Sequence, residues 1–415
     1  MSNSILNKSV MTELKPLAPD SVTIQQQIQA LNEQSGPTAC LSNLPKLLRR
    51  FNIDQTTFNN IITITGTNGK GSTIVLLEHL FESNNCSVIS HSSPHLRAFN
   101  ERIRINGHPI TDQQLLTTLQ TIQTTIPDYH LSFYMVSFLV FCLTANKQIP
   151  DYLLIEVGIG GRLDPANFFD ASIAAITNIG LDHIEQLGPT LDDIAWEKAH
   201  IARENRPIIL GQKIPDQGMD YLTQLGAIPV KAIIDDHMDF SHLTAPPRTS
   251  LMVAYTIYQQ LNQWGHQLEQ PLNWDKTVIP GRRHVLNQPP LLIADVAHNA
   301  PAIDYLFNHL KQTLPAGKQQ WAGLFTAMKT RNIATLLPPS ITQYIDQWHL
   351  VELANQDPRL YSLEALCEQF DALGLPYQAH ATTKDALKAI EQQNTTTIAF
   401  GSFVLIGDIL DQYHA

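Results

Sequence analysis

The 415-residue sequence contains no apolar run of transmembrane length, and its start, Met1-Ser2-Asn3-Ser4-Ile5-Leu6-Asn7-Lys8-Ser9, has no apolar signal core. These absences predict a cytoplasmic protein without a membrane partner. Cysteine is scarce: Cys40, Cys86, Cys142 and Cys367 are scattered and form no C-x-x-C. Three of them fall in apolar or amphipathic segments, which predicts buried free thiols. Basic residues are outnumbered, 27 Lys and Arg against 38 Asp and Glu, giving a net charge of −11. That balance argues against a broad nucleic-acid surface. It still allows an anionic nucleotide to be held by a few lysines, arginines and backbone amides. With 43% hydrophobic residues, the chain is long enough for two domains with real cores.

The stretch that organises the chain is Ile61–Thr73, I-I-T-I-T-G-T-N-G-K-G-S-T. Ile61 to Thr65 are β-branched and bounded by glycine, which predicts a buried strand. Ile74 to Leu80 predict an apolar helix. Between them Gly66, Thr67, Asn68, Gly69, Lys70, Gly71 and Ser72 form a turn that can cradle phosphate. Glycines let backbone N–H groups point inward, and the helix N-terminus adds positive dipole. Lys70 can reach the β/γ-phosphates, and Ser72 can bind Mg²⁺. The pattern G-x-x-x-x-G-K-[ST] is met imperfectly, since Ile64 and Gly71 stand where Gly and Ser belong. A plain glycine turn is the competing reading; Lys70 and Ser72 at the helix mouth favour phosphate. The words G-T-N-G-K-G-S resemble the phosphate loop of the folylpolyglutamate synthase and dihydrofolate synthase family, within the Mur ligase superfamily.

Residues 1–20, with Pro16 and Pro19, read as a loose tail. Ile24, Ile28 and Leu31 share one helix face, and Leu44, Leu47 and Leu48 another. A short strand, Cys86–Ser90, runs into His91-Ser92-Ser93-Pro94-His95-Leu96. Read alone, Ser93 is a helix cap or ST-turn before proline. The family's S-P-H-L implies instead that Ser93 belongs to a magnesium site. Asn100–Gly107 is similar to the family's E-R-I-R-x-N-G. Thr111 and Gln114 form a capping box for a helix carrying Leu115, Leu116, Leu119 and Ile122. Leu131–Ala145 predicts a second helix. The family reads L-T-x-F-E-x-x-T here, with an acidic residue near the folate pocket; this chain has Met135 at that position.

Asp151–Gly158 predicts a strand buried on both faces and ending in Glu156. A carboxylate there is costly unless paired or metal-bound, and Mg²⁺ prefers oxygen; a solvated strand end is the alternative. Gly158–Asp164 resembles the family's E-V-G-x-G-G-R-L-D. A strand over Ile173–Asn178 leads to Asp182-His183. His183 read alone is a core histidine; the resemblance to T-x-I-x-L-D-H implies a ligand of a second magnesium. In the helix near Leu191–Arg203, Lys198 read alone is a solvated lysine. The family's E-K-A lysine is carbamylated, which implies the same at Lys198, although His200-Ile201-Ala202 departs from the usual G-I-F. Pro246-Pro247 marks a loop, and Thr249–Gln267 predicts a helix.

Pro280-Gly281-Arg282 is similar to the family's interdomain P-G-R and places a boundary there; read alone, Arg282 lies in a basic linker turn. A buried strand, Leu291–Asn299, ends in the specific D-[GV]-A-H-N match, putting Asp295 and His298 on the nucleotide side. The next helix carries Ile303, Leu306, Phe307 and Leu310, with Ala300 where proline is common. Ala327–Asn332 only loosely resembles M-x-x-D-K-D, whereas Gly401-Ser402-Phe403 matches the family's last strand-end motif.

Alternating strands and helices predict an α/β protein with parallel sheets. The resemblance implies two domains. Residues 1–280 would form an N-terminal P-loop sheet like the Mur ligase central domain, with the folate pocket. Residues 281–415 would form a smaller Rossmann-like domain completing the ATP and glutamate site. It further implies an ATP-dependent ligase that joins L-glutamate to dihydropteroate or reduced folate through an acyl phosphate. ATP would contact Gly66 to Ser72, Arg282, Asp295 and His298. Two Mg²⁺ would sit on Ser72, Ser93, Glu156 and His183, with Lys198 once carbamylated. Lys70, His183, Lys198 and His298 are the candidate catalytic residues, and a monovalent cation such as K⁺ and a monomeric state are implied. The competing readings are a Mur-superfamily ligase with another acceptor, and a non-catalytic nucleotide-binding homologue.

Overall fold

A computed structural model describes residues 20–234, 242–271, 277–287, 291–314, 321–393 and 395–414. The expected loose tail lies outside them except for Asp20, which opens the helix Asp20–Asn32. Ile24, Ile28 and Leu31 on that helix are buried, as are Leu44, Leu47 and Leu48 on the next.

The first sheet comprises β1 (Ile61–Thr65), β2 (Val88–His91), β3 (Ile103–Ile105), β4 (His108–Pro109), β5 (Tyr152–Glu156), β6 (Ile173–Ile176), β7 (Pro207–Leu210) and β8 (Ile228–Lys231). Their spatial order is β4-β3-β2-β5-β1-β6-β7-β8. β1 lies between β5 and β6, parallel to both, with Ile64 beside Glu156 and Thr65 beside Ile176. Strands buried on both faces need apolar side chains on both, which explains the unbroken Ile and Leu runs. Ile61, Leu153 and Ile155 pack with the helix Phe133–Gln148, whereas Ile62, Ile64 and Leu154 pack with Lys70–Ser83 and Arg248–Gln263. The carboxyl ends of β1, β5 and β6 therefore open side by side, the place where open α/β sheets bind ligands.

The second sheet comprises β9 (His284–Asn287), β10 (Leu292–Ala294), β11 (Trp321–Phe325), β12 (Ile345–Val351), β13 (Tyr377–His380) and β14 (Thr397–Phe400), in the order β13-β12-β11-β14-β10-β9. The halves interlock. Leu96 of the first packs against the core of the second, and Leu243 packs under the second sheet. His309 on the helix Ala300–Thr313 meets the carbonyls of His242 and Leu243 at 3.0 and 3.2 Å.

Several expectations are corrected. The sheets are not wholly parallel, because β3 and β4 form an antiparallel edge and β9 runs antiparallel to β10. The strand expected at Cys86–Ser90 starts at Val88 and reaches His91. The helix at Leu131 begins at Phe133, since Ser132 caps it by accepting the Met135 N–H at 3.2 Å. The helices from Leu191 and Arg248 stop at Ala199 and Gln263. Of the four thiols only Cys142 is buried; Cys86 and Cys367 are half-buried and Cys40 is exposed.

Candidate active site

The loop between β1 and the helix Lys70–Ser83 is shaped by close approaches. A Cβ on Gly66 would lie 1.9 Å from Thr177 Oγ1. Gly69, the helix N-cap, has φ 86°, the left-handed region that glycine enters freely. The loop is pinned to the segment after β6: Asn178 accepts the Thr67 N–H through its carbonyl at 3.0 Å and the Asn68 N–H through Oδ1 at 2.8 Å. Lys70 curls back so that Nζ donates to the Gly66 carbonyl at 2.9 Å. Burial lowers its pKa against the pull of Glu156 and Asp182. Ser72 Oγ is buried without a hydrogen-bond partner.

Glu156 ends β5 and is 4% exposed; its Oε2 accepts the Ser93 N–H at 3.1 Å. Burial raises its pKa, with Lys70 opposing. After β6, Asp182 is buried and His183 stands exposed at the head of a short helix with φ 52°. Partial desolvation lowers the His183 pKa, and the charges of Arg331, Lys70 and Lys198 push the same way against Asp182. A neutral imidazole keeps a lone pair for a ligand. Lys198 is buried, unlike the solvated lysine expected from the residues alone. Burial and the nearby charge of Lys70 push its pKa down to about 7.

The second sheet supplies the opposite wall. Arg282 Nη1 lies 3.8 Å from Asp295 Oδ1, and its guanidinium sits 5.8 Å from the Phe403 ring centre. Asp295 also accepts the N–H groups of Arg283 at 2.9 Å and Ala297 at 2.8 Å. His298 Nδ1–H donates to the Val296 carbonyl at 2.9 Å, leaving Nε2 as an acceptor, and burial lowers its pKa to about 4. A cavity of about 230 Å³ opens between the walls, lined by Asn68, Gly69, Ser72, Asn178, Ser250, Arg282, Asp295 and Tyr305 among others.

The residues singled out in the sequence thus gather at one crevice. Others there were not assigned. Asn299 lies in the D-x-A-H-N stretch, and its Nδ2 reaches Asn68 Oδ1 and Asp182 Oδ2, both at 3.0 Å. Arg331 comes from the segment with only a loose resemblance and pairs with Asp182 at 2.7 Å. Met135 is 2% exposed and packs in the apolar core. Its neighbour Tyr134 turns to the loop after β5, where its hydroxyl accepts the Gly158 N–H at 2.9 Å and donates to Asp164 Oδ1 at 3.1 Å. Burial raises the Asp164 pKa to about 6.

Among the described residues no three His, Cys, Asp or Glu side chains form a metal cage. The candidate donors are one carboxylate, one imidazole and serine oxygens, of which Ser72 Oγ lacks any other partner. This set fits Mg²⁺, which keeps several waters and takes few protein carboxylates.

Residues 64–211 match the Mur ligase middle domain. The Escherichia coli dihydrofolate synthase/folylpolyglutamate synthase is 29% identical over 371 residues, covering 85% of this chain and 86% of that protein. The crystal structure of the bifunctional folylpolyglutamate synthase/dihydrofolate synthase from Yersinia pestis, complexed with AMPPNP and Mn, has a TM-score of 0.80 at 26% identity, covering 98% of this chain and 100% of that one. An Escherichia coli FolC structure with DHPP and ADP has a TM-score of 0.82 at 24% identity, covering 97% and 99%, and so shares the fold. Two sheets meeting at a glycine-rich phosphate loop are an arrangement that this chain shares with these ligase structures. Within that group, the chain is similar over most of its length to the dihydrofolate synthase/folylpolyglutamate synthases.

Proposed function

We propose that the chain is an ATP-dependent amide ligase that joins L-glutamate to dihydropteroate and extends reduced folates with further glutamates, releasing ADP and phosphate. The observation that carries this reading is the meeting of Lys70, Glu156, Arg282 and the unpartnered Ser72 Oγ at one crevice between two sheets. A carboxylate oxygen of the acceptor attacks the γ-phosphorus, the bond to the β-phosphate oxygen breaks, and ADP leaves. The glutamate amine then attacks the acyl carbon, loses a proton, and expels phosphate from the tetrahedral intermediate. Phosphoryl transfer needs mainly positioning and charge neutralisation. The loop amides and Lys70 supply both from one wall, and Arg282 adds charge from the other.

Ser72, Ser93 and Glu156 would hold one Mg²⁺, and His183 with carbamylated Lys198 the other. Bound there, the ions would neutralise charge on the transferred phosphoryl group. His298 and Asp295 orient nucleotide or phosphate. Residues 1–280 carry the phosphate loop and folate pocket, and 281–415 complete the ATP and glutamate site. The enzyme acts as a cytoplasmic monomer on small molecules, a reading carried by the family resemblance; separately, among the described residues no helix is long and apolar enough to cross a membrane. A K⁺-like monovalent cation rests on the resemblance alone.

Phosphate release with Mg-ATP and glutamate, adding dihydropteroate or a reduced folate, tests the reading. Release with both establishes the two activities. Release with dihydropteroate alone confines the enzyme to the first. Release with neither, despite tight ATP binding, rejects the proposal in favour of another acceptor or a non-catalytic homologue.

A further inference from the structure

We infer that Arg331 and Asn299 are positioning residues for this reaction: from the second half of the molecule they grip Asp182, and through it set His183 and close the crevice over the phosphate loop. Asp182 is 6% exposed and directly precedes His183. Its Oδ1 accepts Arg331 Nη1 at 2.7 Å and the His183 backbone N–H at 2.9 Å, and its Oδ2 accepts Asn299 Nδ2 at 3.0 Å. One carboxylate therefore joins two donors from the second half to the backbone of a residue held at φ 52°. That conformation is uncommon for a residue with a Cβ and persists where its surroundings impose it.

Asn299 extends the link. Its Oδ1 caps the helix Ala300–Thr313 by accepting the Ala302 N–H at 3.0 Å. Its amide also pairs reciprocally with Asn68 of the phosphate loop, at 3.0 and 3.1 Å. Two residues from each half thus form one clasp. A buried carboxylate is costly without its partners, so Asp182, at 6% exposure, is fully satisfied only while Arg331 and Asn299 are docked. Docking of the second half and placement of His183 become one event. Arg331 is the one member of the clasp in the weakly matching segment Ala327–Asn332, so no motif points to it.

This inference rests on the proposed ligase reading, and its test separates the two. Initial rates of phosphate release and the solution radius of gyration are measured for the wild type, Arg331→Ala, Arg331→Lys, Asn299→Ser, Asp182→Asn and the Asp182→Asn/Arg331→Ala double variant. Asn299→Ser keeps an oxygen to cap the helix and removes the amide donor, so it serves if Arg331→Ala does not fold. Arg331→Ala is expected to lower kcat by roughly ten- to a hundredfold, as loss of partners behind metal ligands does. Arg331→Lys should recover part of the loss, and Arg331→Ala and Asn299→Ser should enlarge the radius of gyration. The double variant should be no slower than the slower single variant, because the residues act through one contact. Losses that multiply, or an Arg331→Ala enzyme with wild-type rate and radius, overturn the inference. A wild type that releases no phosphate refutes the ligase reading, while the radii still test the clasp.

Discussion

Gly71 lies against Glu156: a Cβ built on Gly71 would stand 3.4 Å from Oε2 and 3.9 Å from Oε1. Gly71 sits in the first turn of a helix with no left-handed φ, so alanine suits its backbone. The added methyl would fill the space beside the carboxylate assigned to Mg²⁺. Gly71→Ala should therefore leave the melting temperature unchanged or slightly raised, since alanine favours helix by about 0.5–1 kcal/mol. It should slow phosphate release by about a hundredfold, the cost of displacing reacting groups by an ångström. A Gly71→Ala enzyme with normal turnover would show that the site does not use this space.

Lys198 offers a test through its proton. Burial and Lys70 hold its pKa at about 7, so the neutral amine dominates above that pH. Carbamate formation joins a neutral amine to CO₂ and releases a proton, so bicarbonate should raise activity, most steeply below pH 7. Unbiased electron density from crystals grown above pH 7 with CO₂ present should extend beyond Nζ; a bare amine there would remove carbamylation from the mechanism. The same shift has a stability consequence. Between about 7 and 10.5 the unfolded chain holds a proton that the folded one has lost, so this group's contribution rises with pH across that window and is lowest below it. Lys198→Met should flatten that part of a stability-versus-pH curve.

What the sequence disclosed follows the range of the interactions. Strand, glycine turn and helix at Ile61–Leu80 are local, and so is the Thr111–Gln114 capping box, whose partners lie in one turn of chain. Glu156 stood out because a carboxylate ending an apolar strand needs a partner. The antiparallel edge β3–β4 escaped because its strands are too short for a clear period. The burial of Lys198 depends on packing that no local pattern encodes. Arg331 was beyond reach for the same reason, since its partner Asp182 is distant in the chain. Met135 stands where the family has an acidic residue, yet it is buried in the apolar core, because a motif fixes position and only packing decides which side chain faces the core.

Tyr134, rather than Met135, touches the loop after β5, and the two substitutions should part company. Met135→Glu places a carboxylate in an apolar core without a partner and should destabilise the fold by at least about 3 kcal/mol. Tyr134→Phe removes the hydroxyl that links the Gly158 N–H to Asp164 and should cost about 1 kcal/mol. Its larger effect should fall on KM for the pteroate-type acceptor, with KM for ATP little changed. Denaturant unfolding and steady-state kinetics measure both. A stable, active Met135→Glu enzyme would return position 135 to the pocket.

The loop that presents Ser93 to Glu156 also meets the last helix, Phe403–His414. Glu101 holds this loop by accepting the N–H groups of Leu96, Arg97 and Ala98 at 2.8, 3.0 and 3.0 Å. From the other half, Asp411 pairs with Arg97 of this loop, and a Cβ on Gly407 would fall 2.1 Å from the Leu96 carbonyl oxygen. A backbone atom cannot rotate away as a side-chain tip can. Gly407→Ala should therefore push helix and loop apart, costing roughly 1–3 kcal/mol as overpacking does. Because the loop carries Ser93, the Mg²⁺ concentration for half-maximal phosphate release should rise as well. Asp411→Asn weakens the neighbouring ion pair without adding bulk and should show a smaller change in both. If Gly407→Ala lowers stability while leaving the Mg²⁺ dependence at the wild-type value, the loop is only a strut between the halves, and Ser93 is placed by the first sheet alone.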